Sequence, residues 1–179
     1  MEVNSMLYVT RHGETDWNLY GKVQGKADIE LNAKGIEQAK ETMEKLKEES
    51  IDFIICSPLK RTKQTLEAIF PNQEFIKEKG FTEISLGDWE GLKKEKVNQK
   101  RRKAFQQGEY APPHGERHEE VESRVKKSVE RIFATYPDGA VILVCTSNGI
   151  MQTIKRMYNM QTKDIMSKNL EYVILKRPE

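Results

Sequence analysis

The chain of 179 residues is 37% hydrophobic and 32% charged, and its formal net charge is +2. A chain of this size and composition can bury a core of its own, so we expect one domain over residues 1–179 rather than a disordered or disulfide-dense protein. No apolar run approaches the ~20 residues that cross a bilayer, and the first residues lack the basic and apolar stretches of a secretory signal. These features predict a cytoplasmic protein without a membrane partner.

The first half of the chain alternates between short apolar runs and segments of helical period. Met6 to Val9 are predicted to form the first strand, and Asn32 is a candidate N-cap for a long helix. A second strand over residues 51–56 ends at Ser57-Pro58, where the serine is expected to cap a helix that runs to about Phe70. We expect the apolar stripe of the first long helix to cover the sheet. Its members are Ile36, Ala39, Met43 and Leu46.

The second half repeats this alternation. A helix is predicted from Glu116 to Thr135, followed by a strand over residues 140–145, a helix over 149–158 and a last strand over 170–175. Cys56 and Cys145 each lie in an apolar run, which favours reduced cysteines in the core. The alternation predicts a layered α/β domain with a mainly parallel sheet. The apolar positions expected to be buried on the Glu116–Thr135 helix are Val121, Val125, Val129 and Ile132.

Polar residues directly follow three of the predicted strands. Arg11 and His12 follow the first, Arg61 comes shortly after the second, and residues 146–149 follow the strand over 140–145. Ligands of parallel sheets bind at the carboxyl ends of strands, so we expect these residues to converge. Two arginines beside a histidine suit a phosphoryl group, because guanidinium binds anionic oxygens and a neutral imidazole can attack phosphorus.

In combination, these residues resemble a known family. The run from Thr10 to Asn18 (TRHGETDWN) is similar to the opening motif of the histidine phosphatase superfamily, which includes cofactor-dependent phosphoglycerate mutases and many small phosphatases. The resemblance continues in the family's order over nearly the whole chain. Its further motifs are Gln24-Gly25, Cys56-Ser57-Pro58-Leu59 with Arg61, Glu83 with Gly87-Asp88-Trp89-Glu90-Gly91, and Gly115-Glu116. It implies a three-layer α/β/α sandwich of the phosphoglycerate mutase type.

The resemblance also implies roles for individual residues. His12 matches the nucleophile that becomes phosphorylated, Arg11 and Arg61 match the arginines that bind the phosphoryl oxygens, and Glu83 matches the general acid and base. The reaction implied needs no metal and no cofactor, and its substrate is a small phosphorylated metabolite. Residues expected to line the phosphate pocket are Asn18, Gln24, Gly25, Asn148 and Gly149.

The chain departs from the family pattern after the strand over 140–145. Most members carry a second histidine there, whereas this chain reads Thr146-Ser147-Asn148-Gly149. Either Ser147 or Asn148 takes the place of that histidine, and we favour Ser147 as the catalytic substitute because the strand then keeps its length. A neutral side chain supplies no positive charge, and loss of one such donor typically costs about 10²–10³ in rate.

Three hypotheses therefore follow. We expect a phosphatase, because the mutases that the chain resembles are longer; a mutase-type transfer and a weakly active phosphate-binding relative are the alternatives.

Other charged residues are candidate contributors to the site. His114 or His118 is an alternative replacement for the missing histidine, although both are expected to be exposed loop residues. The basic segment Lys93 to Lys103 is expected to be a solvated helix face, or to add to a positive field around the pocket. Nucleic acid is not an expected partner, since the chain is nearly neutral overall.

Overall fold

The computed structural model describes residues 5–46, 50–160 and 172–177, which contain five strands and six α-helices. The strands are β1 (Met6–Arg11), β2 (Phe53–Cys56), β3 (Ile76–Lys77), β4 (Val141–Thr146) and β5 (Tyr172–Lys176). The helices are α1 (Asp16–Leu19), α2 (Ala33–Leu46), α3 (Lys60–Ile69), α4 (Gln99–Gln106), α5 (His118–Thr135) and α6 (Asn148–Met157). Short 3₁₀ helices span Lys79–Phe81, Gly87–Trp89 and Lys94–Lys96.

The strands form one sheet in the order β3-β2-β4-β1-β5. Strands β1 to β4 run parallel to one another, and β5 runs antiparallel to β1 at the sheet edge. The predicted mainly parallel sheet is therefore confirmed. In this register Arg11 lies opposite Thr146, so the carboxyl ends of β1 and β4 meet at one edge of the sheet.

Helices cover both faces of the sheet, because successive side chains of a strand point to opposite faces. Leu7 and Val144 belong to the larger core, which α5 and α6 cover, whereas Tyr8 and Cys145 belong to the opposite core beside Leu66 of α3. The three-layer α/β/α arrangement is confirmed. All four apolar residues predicted on α5 are buried: Val121, Val125, Val129 and Ile132.

Several predicted details differ from the structure. Helix α2 packs mainly on α3, where Ala39 meets Ile69, and Ile36 is 39% exposed instead of covering the sheet. The side chains of Met43 and Leu46 lie outside the described residues. Helix α3 begins at Lys60, not at Pro58, because the Ser57 N–H continues the ladder to Cys145 and its hydroxyl bonds Thr62.

Two strands end closer to the candidate site than the sequence predicted. Strands β1 and β4 extend beyond their apolar runs to Arg11 and Thr146. The last strand begins at Tyr172, and residues 170–171 lie outside the described part. Both cysteines are free thiols and buried, as predicted.

Within the described ranges, none of the helices has the length and apolar character needed to cross a membrane.

Candidate active site

His12 lies immediately beyond β1 and is 3% exposed. Its backbone N–H donates to the Thr146 carbonyl at 3.0 Å, which carries the ladder between β1 and β4 one residue further. The next N–H, of Gly13, donates to Thr65 Oγ1 at 3.0 Å. His12 is therefore held by the backbone on both sides, at the sheet edge where the sequence predicted a site.

The His12 side chain has a defined tautomer. Its Nδ1 lies 2.6 Å from the carbonyl oxygen of Gly13, and because a carbonyl only accepts, Nδ1 carries the proton and Nε2 keeps its lone pair. Burial and the charges of Arg61 and Arg11 lower the pKa of His12 well below its ordinary value. At neutral pH the site therefore holds a neutral imidazole whose Nε2 is unprotonated.

Arg61, on the first turn of α3, is completely buried. Its Nη1 donates to the Ala27 carbonyl at 2.7 Å and its Nη2 donates to the Gly25 carbonyl at 2.8 Å. Burial lowers the pKa of Arg61, and the carboxylate of Glu83 acts against this shift, but guanidinium remains protonated in proteins. Its Nε is buried and has no hydrogen-bond partner among the described residues. The group is thus a fixed positive charge with donor capacity left for an anion.

The loop that holds Arg61 depends on Gly25. This residue has φ +53°, and a Cβ there would collide with the Glu90 carboxylate. Glu90 Oε1 in turn accepts the N–H groups of Lys26 at 3.0 Å and Leu86 at 2.9 Å. Gly25 therefore allows a close approach between two loops, and its carbonyl is one of the two that accept from Arg61.

Glu83 lies in an irregular segment between two short 3₁₀ helices. Its Oε1 accepts the Ile84 N–H at 2.8 Å, and its Oε2 accepts the Gly149 N–H at 3.1 Å. The second contact places the carboxylate at the amino end of α6, where the helix dipole favours negative charge. A Cβ on Gly149 would collide with this carboxylate. The glycine therefore permits the approach.

Ser147 occupies the N-cap position of α6 and is completely buried. Its hydroxyl makes no capping bond, and Oγ instead lies 3.4 Å from Arg61 Nη2. Asn148 is the first residue of α6. Thr146 Oγ1 donates to the Phe81 carbonyl at 2.7 Å, which ties β4 to the segment leading to Glu83. Contacts among described residues thus link Arg61 to Ser147, and Glu83 to Gly149.

The other predicted site residues have varied surroundings. Arg11 is 7% exposed and close enough for its charge to lower the pKa of His12. Asn18 Oδ1 accepts from Thr15 in the capping box of α1. Gln24 Oε1 is buried and has no hydrogen-bond partner within the described part of the chain.

The two remaining histidines are held elsewhere. His114 Nδ1 lies 2.9 Å from Asp88 Oδ1, and this exposed contact raises the pKa of His114. His118, expected in an exposed loop, is instead the first residue of α5 and only partly exposed, and its Nδ1 lies 3.1 Å from Arg156 Nη2. Neither contact involves the residues around His12. Across residues 5–46, 50–160 and 172–177, no three His, Cys, Asp or Glu side chains form a group able to hold a metal ion.

The basic segment from Lys93 to Lys103 includes most of α4, and most of its charged side chains are exposed, as a solvated face requires. Lys94 differs from the others. Its pKa is lowered by partial burial and by the charges of Arg11 and Arg102, so its ammonium group lies near the site. Nothing in its sequence spacing distinguished Lys94 from the neighbouring lysines.

The model of the histidine phosphatase superfamily (branch 1) matches residues 7–175, and the chain belongs to this family. An uncharacterized phosphatase PhoE of Bacillus subtilis (strain 168) is 41% identical over 138 residues, which are 76% of this chain and 68% of the relative. Phosphoserine phosphatase 1 of Hydrogenobacter thermophilus (strain DSM 6534 / IAM 12695 / TK-6) is 36% identical over 146 residues, covering 77% and 69%.

A solved structure gives the same fold. The mycobacterial glucosyl-3-phosphoglycerate phosphatase Rv2419c, in complex with VO3, superposes with a TM-score of 0.85 at 23% identity, over 94% of this chain and 91% of that one. The resemblance inferred from the motifs is therefore confirmed, as is the phosphoglycerate mutase-like fold. Together the similarities support a phosphatase or phosphoglycerate mutase-like activity.

Proposed function

We propose that the protein is a phosphomonoesterase that hydrolyses a small phosphorylated metabolite through a phosphohistidine on His12. The observation that carries this proposal is the 2.6 Å contact from His12 Nδ1 to the Gly13 carbonyl. It leaves Nε2 as the nucleophile of a buried, neutral imidazole. The preorganised charges of Arg11 and Arg61 suit the oxygens of a transferring phosphoryl group, where such electrostatic stabilisation is the main catalytic contribution.

In the first step, the Nε2 lone pair of His12 forms a bond to phosphorus while the bond from phosphorus to the ester oxygen breaks. In the proposed step Glu83 acts as general acid and gives a proton to the departing oxygen, so the product is a neutral alcohol. Asn18, Gln24 and Gly25 complete the phosphate pocket in this proposal.

In the second step, water attacks the phosphorus of the phosphohistidine. The Glu83 carboxylate removes a proton from this water, and the electrons of the breaking P–N bond return to Nε2. Inorganic phosphate leaves, and His12 and Glu83 regain their initial protonation states. The contacts of Glu83 with Ile84 and Gly149 support this role, because they orient the carboxylate at one fixed place.

Ser147 supports a second candidate, a phosphate-binding relative with slow turnover. In this proposal Ser147 takes the position of the family's second histidine, because its Oγ lies beside Arg61 Nη2, while Asn148 and Gly149 contribute the first turn of α6. A hydroxyl donates one neutral hydrogen bond where an imidazolium would add a charge. The rate is then expected to be lower by about 10²–10³ than with a charged donor.

Hydrolysis is favoured over mutase-type transfer because two of the similar relatives carry phosphatase names. Phosphoserine phosphatase 1 acts, by its name, on phosphoserine. A small phosphomonoester is the corresponding substrate class for this chain.

The test is release of phosphate from 4-nitrophenyl phosphate by the wild type, by His12→Ala and by His114→Ala as a matched control. We expect the His12 variant to lose about 10³-fold or more and the exposed His114 variant to keep wild-type activity. A phosphoenzyme trapped by rapid quenching should be acid-labile and absent from the His12 variant. Absence of turnover in the wild type, or equal activity in both variants, would overturn the proposal.

A further inference from the structure

One guanidinium, that of Arg124 on α5, binds three carbonyl groups around Glu83. Its Nη1 donates to the carbonyls of Gly80 and Thr82, both at 2.7 Å, and its Nη2 donates to the Glu83 carbonyl at 3.3 Å. Residues 82–85 lie between two 3₁₀ helices and belong to no strand in the described part of the chain. Arg124 therefore takes the place of secondary structure in fixing the backbone that carries Glu83.

Glu116 fixes Arg124 in turn. Its Oε1 accepts from Arg124 Nε at 3.1 Å and its Oε2 accepts from Nη2 at 3.0 Å, a bidentate pair in which both side chains are about one-fifth exposed. Oε2 also accepts the Ser85 N–H at 2.8 Å. The Arg124–Glu116 pair thus binds the backbone on both sides of Glu83, from Gly80 to Ser85.

The same carboxylate reaches the loop that holds Arg61. Glu116 Oε1 lies 3.1 Å from Lys26 Nζ, and the two neighbours of Lys26, Gly25 and Ala27, supply the carbonyls that bind Arg61. One ion pair therefore connects the backbone of the carboxylate with the backbone that orients the buried arginine.

We propose that Arg124, held by Glu116, is a positioning residue for Glu83 in proton transfer to the leaving group. This inference rests on the proposed function, in which Glu83 is the general acid. When the backbone at residues 80–85 shifts, the Glu83 carboxyl moves away from the ester oxygen. The cost depends on the leaving group, because a stable phenolate departs without a proton whereas a basic oxygen requires one.

The test compares kcat/KM for 4-nitrophenyl phosphate, a good leaving group, with kcat/KM for phenyl phosphate, a poor one. This parameter reports phosphoryl transfer to His12 and excludes the later hydrolysis step. For Arg124→Lys we expect a loss of about 10- to 100-fold with phenyl phosphate and no more than about threefold with 4-nitrophenyl phosphate. Glu116→Gln, which keeps the side-chain shape, should change the ratio in the same direction.

Arg131→Lys is the matched control. Arg131 lies on the same helix and pairs with Glu78, ahead of the same segment, but it is 60% exposed. Glu78 keeps its bonds to the Gly80 N–H and the Ser128 hydroxyl without it. We therefore expect Arg131→Lys to leave both kcat/KM values at the wild-type level.

A double variant separates positioning from general loosening of the fold. Once Glu83→Gln has removed the acid, Arg124→Lys should cause no further loss with phenyl phosphate. An equal loss on both esters, or losses that multiply in the double variant, would overturn the inference while His12-dependent turnover stood. Failure of the proposed function is a separate result, namely turnover that survives His12→Ala. If Arg124→Lys fails to fold, Glu116→Gln decides by the same ratio.

Discussion

Arg61 Nη2 and Ser147 Oγ lie 3.4 Å apart, and neither side chain is exposed to solvent. The hydroxyl therefore stands beside a permanent positive charge at the amino end of α6. In the proposed function this is the place where the transferring phosphoryl group meets its donors. The identity of residue 147 then determines how much charge faces those oxygens.

We predict that Ser147→His raises kcat for an aryl phosphate. An imidazole at this place becomes a charged donor when the phosphoryl dianion offsets the nearby guanidinium, and one such donor is worth about tenfold or more in rate. Steady-state kinetics of Ser147→His beside Asn148→His tests the assignment. A gain in the Asn148 variant alone would move the role to Asn148, and a gain in neither would contradict the proposal that charge at this place limits turnover.

We predict that His12 makes the protein less stable in acid. Burial and two nearby arginines lower the pKa of folded His12, so between its ordinary value of 6.5 and the folded value the unfolded chain binds more protons. This contribution to stability is full above the ordinary pKa and is lost as the pH falls below it. The melting temperature should therefore drop between about pH 7 and about pH 5.

His12→Gln should make that drop smaller. His118, whose pKa is also lowered by burial and by Arg156, adds a drop of the same sign in both proteins, so the difference between wild type and variant is the quantity to compare. His114→Gln is the control, because its exposed pair with Asp88 raises the pKa of His114 and acts in the opposite direction. Identical pH dependence in wild type and His12→Gln would contradict a buried neutral imidazole.

We predict that Arg61→Lys loses both stability and anion binding. A lysine ammonium cannot bind both carbonyls that the planar guanidinium spans, so the group at Gly25 or Ala27 loses its partner, at about 1–3 kcal/mol. Chemical denaturation measures the first effect, and the rise in melting temperature with added phosphate measures the second. Lys60→Gln, which removes an exposed pair with Glu30, should change neither. Wild-type stabilisation by phosphate in Arg61→Lys would contradict the anion site.

We predict that alanine substitutions at Gly149 and Gly35 have different effects, the first on turnover and the second on stability. A Cβ at Gly149 would meet the Glu83 carboxylate and the Ile84 side chain, whereas a Cβ at Gly35 would meet the backbone carbonyl of Glu14. Gly149→Ala should lower turnover of phenyl phosphate with a small change in melting temperature, because a side chain can move. Gly35→Ala should cost about 1–3 kcal/mol of stability, because backbone must move. Wild-type turnover in Gly149→Ala would argue that the contact with Glu83 has no catalytic consequence.

The sequence predicted the sheet edge well, for a physical reason. His12 and Ser147 each directly follow a strand whose apolar run is visible, and parallel strands bring their carboxyl ends to one edge. The extension of β1 and β4 to Arg11 and Thr146 was not predictable from hydropathy. Arg11 and Thr146 are buried among the polar groups of the site and not in the apolar core, so hydropathy does not mark them as strand residues.

The roles of Glu83 and Arg124 could not be predicted from strand ends. Glu83 follows no strand, and only the family resemblance pointed to it. Arg124 acts on carbonyl groups of a distant irregular segment, and local sequence carries no signal of which carbonyls approach a helix. Helix α4 was predicted only as a solvated helix face within Lys93 to Lys103, and its bounds were not, since Gln99–Gln106 contains no apolar stripe for periodicity to detect.

The contacts of Arg61 also bear on the entropy of anion binding. A surface arginine loses about 2 kcal/mol of rotamer entropy when it binds a ligand. The Arg61 side chain is already fixed by two backbone carbonyls in the folded chain, so its rotamer entropy was lost on folding. Its attraction for an anion is therefore undiminished by ordering. That advantage does not discriminate between an ester and free phosphate, so under the proposed function we expect inorganic phosphate, the product, to inhibit turnover.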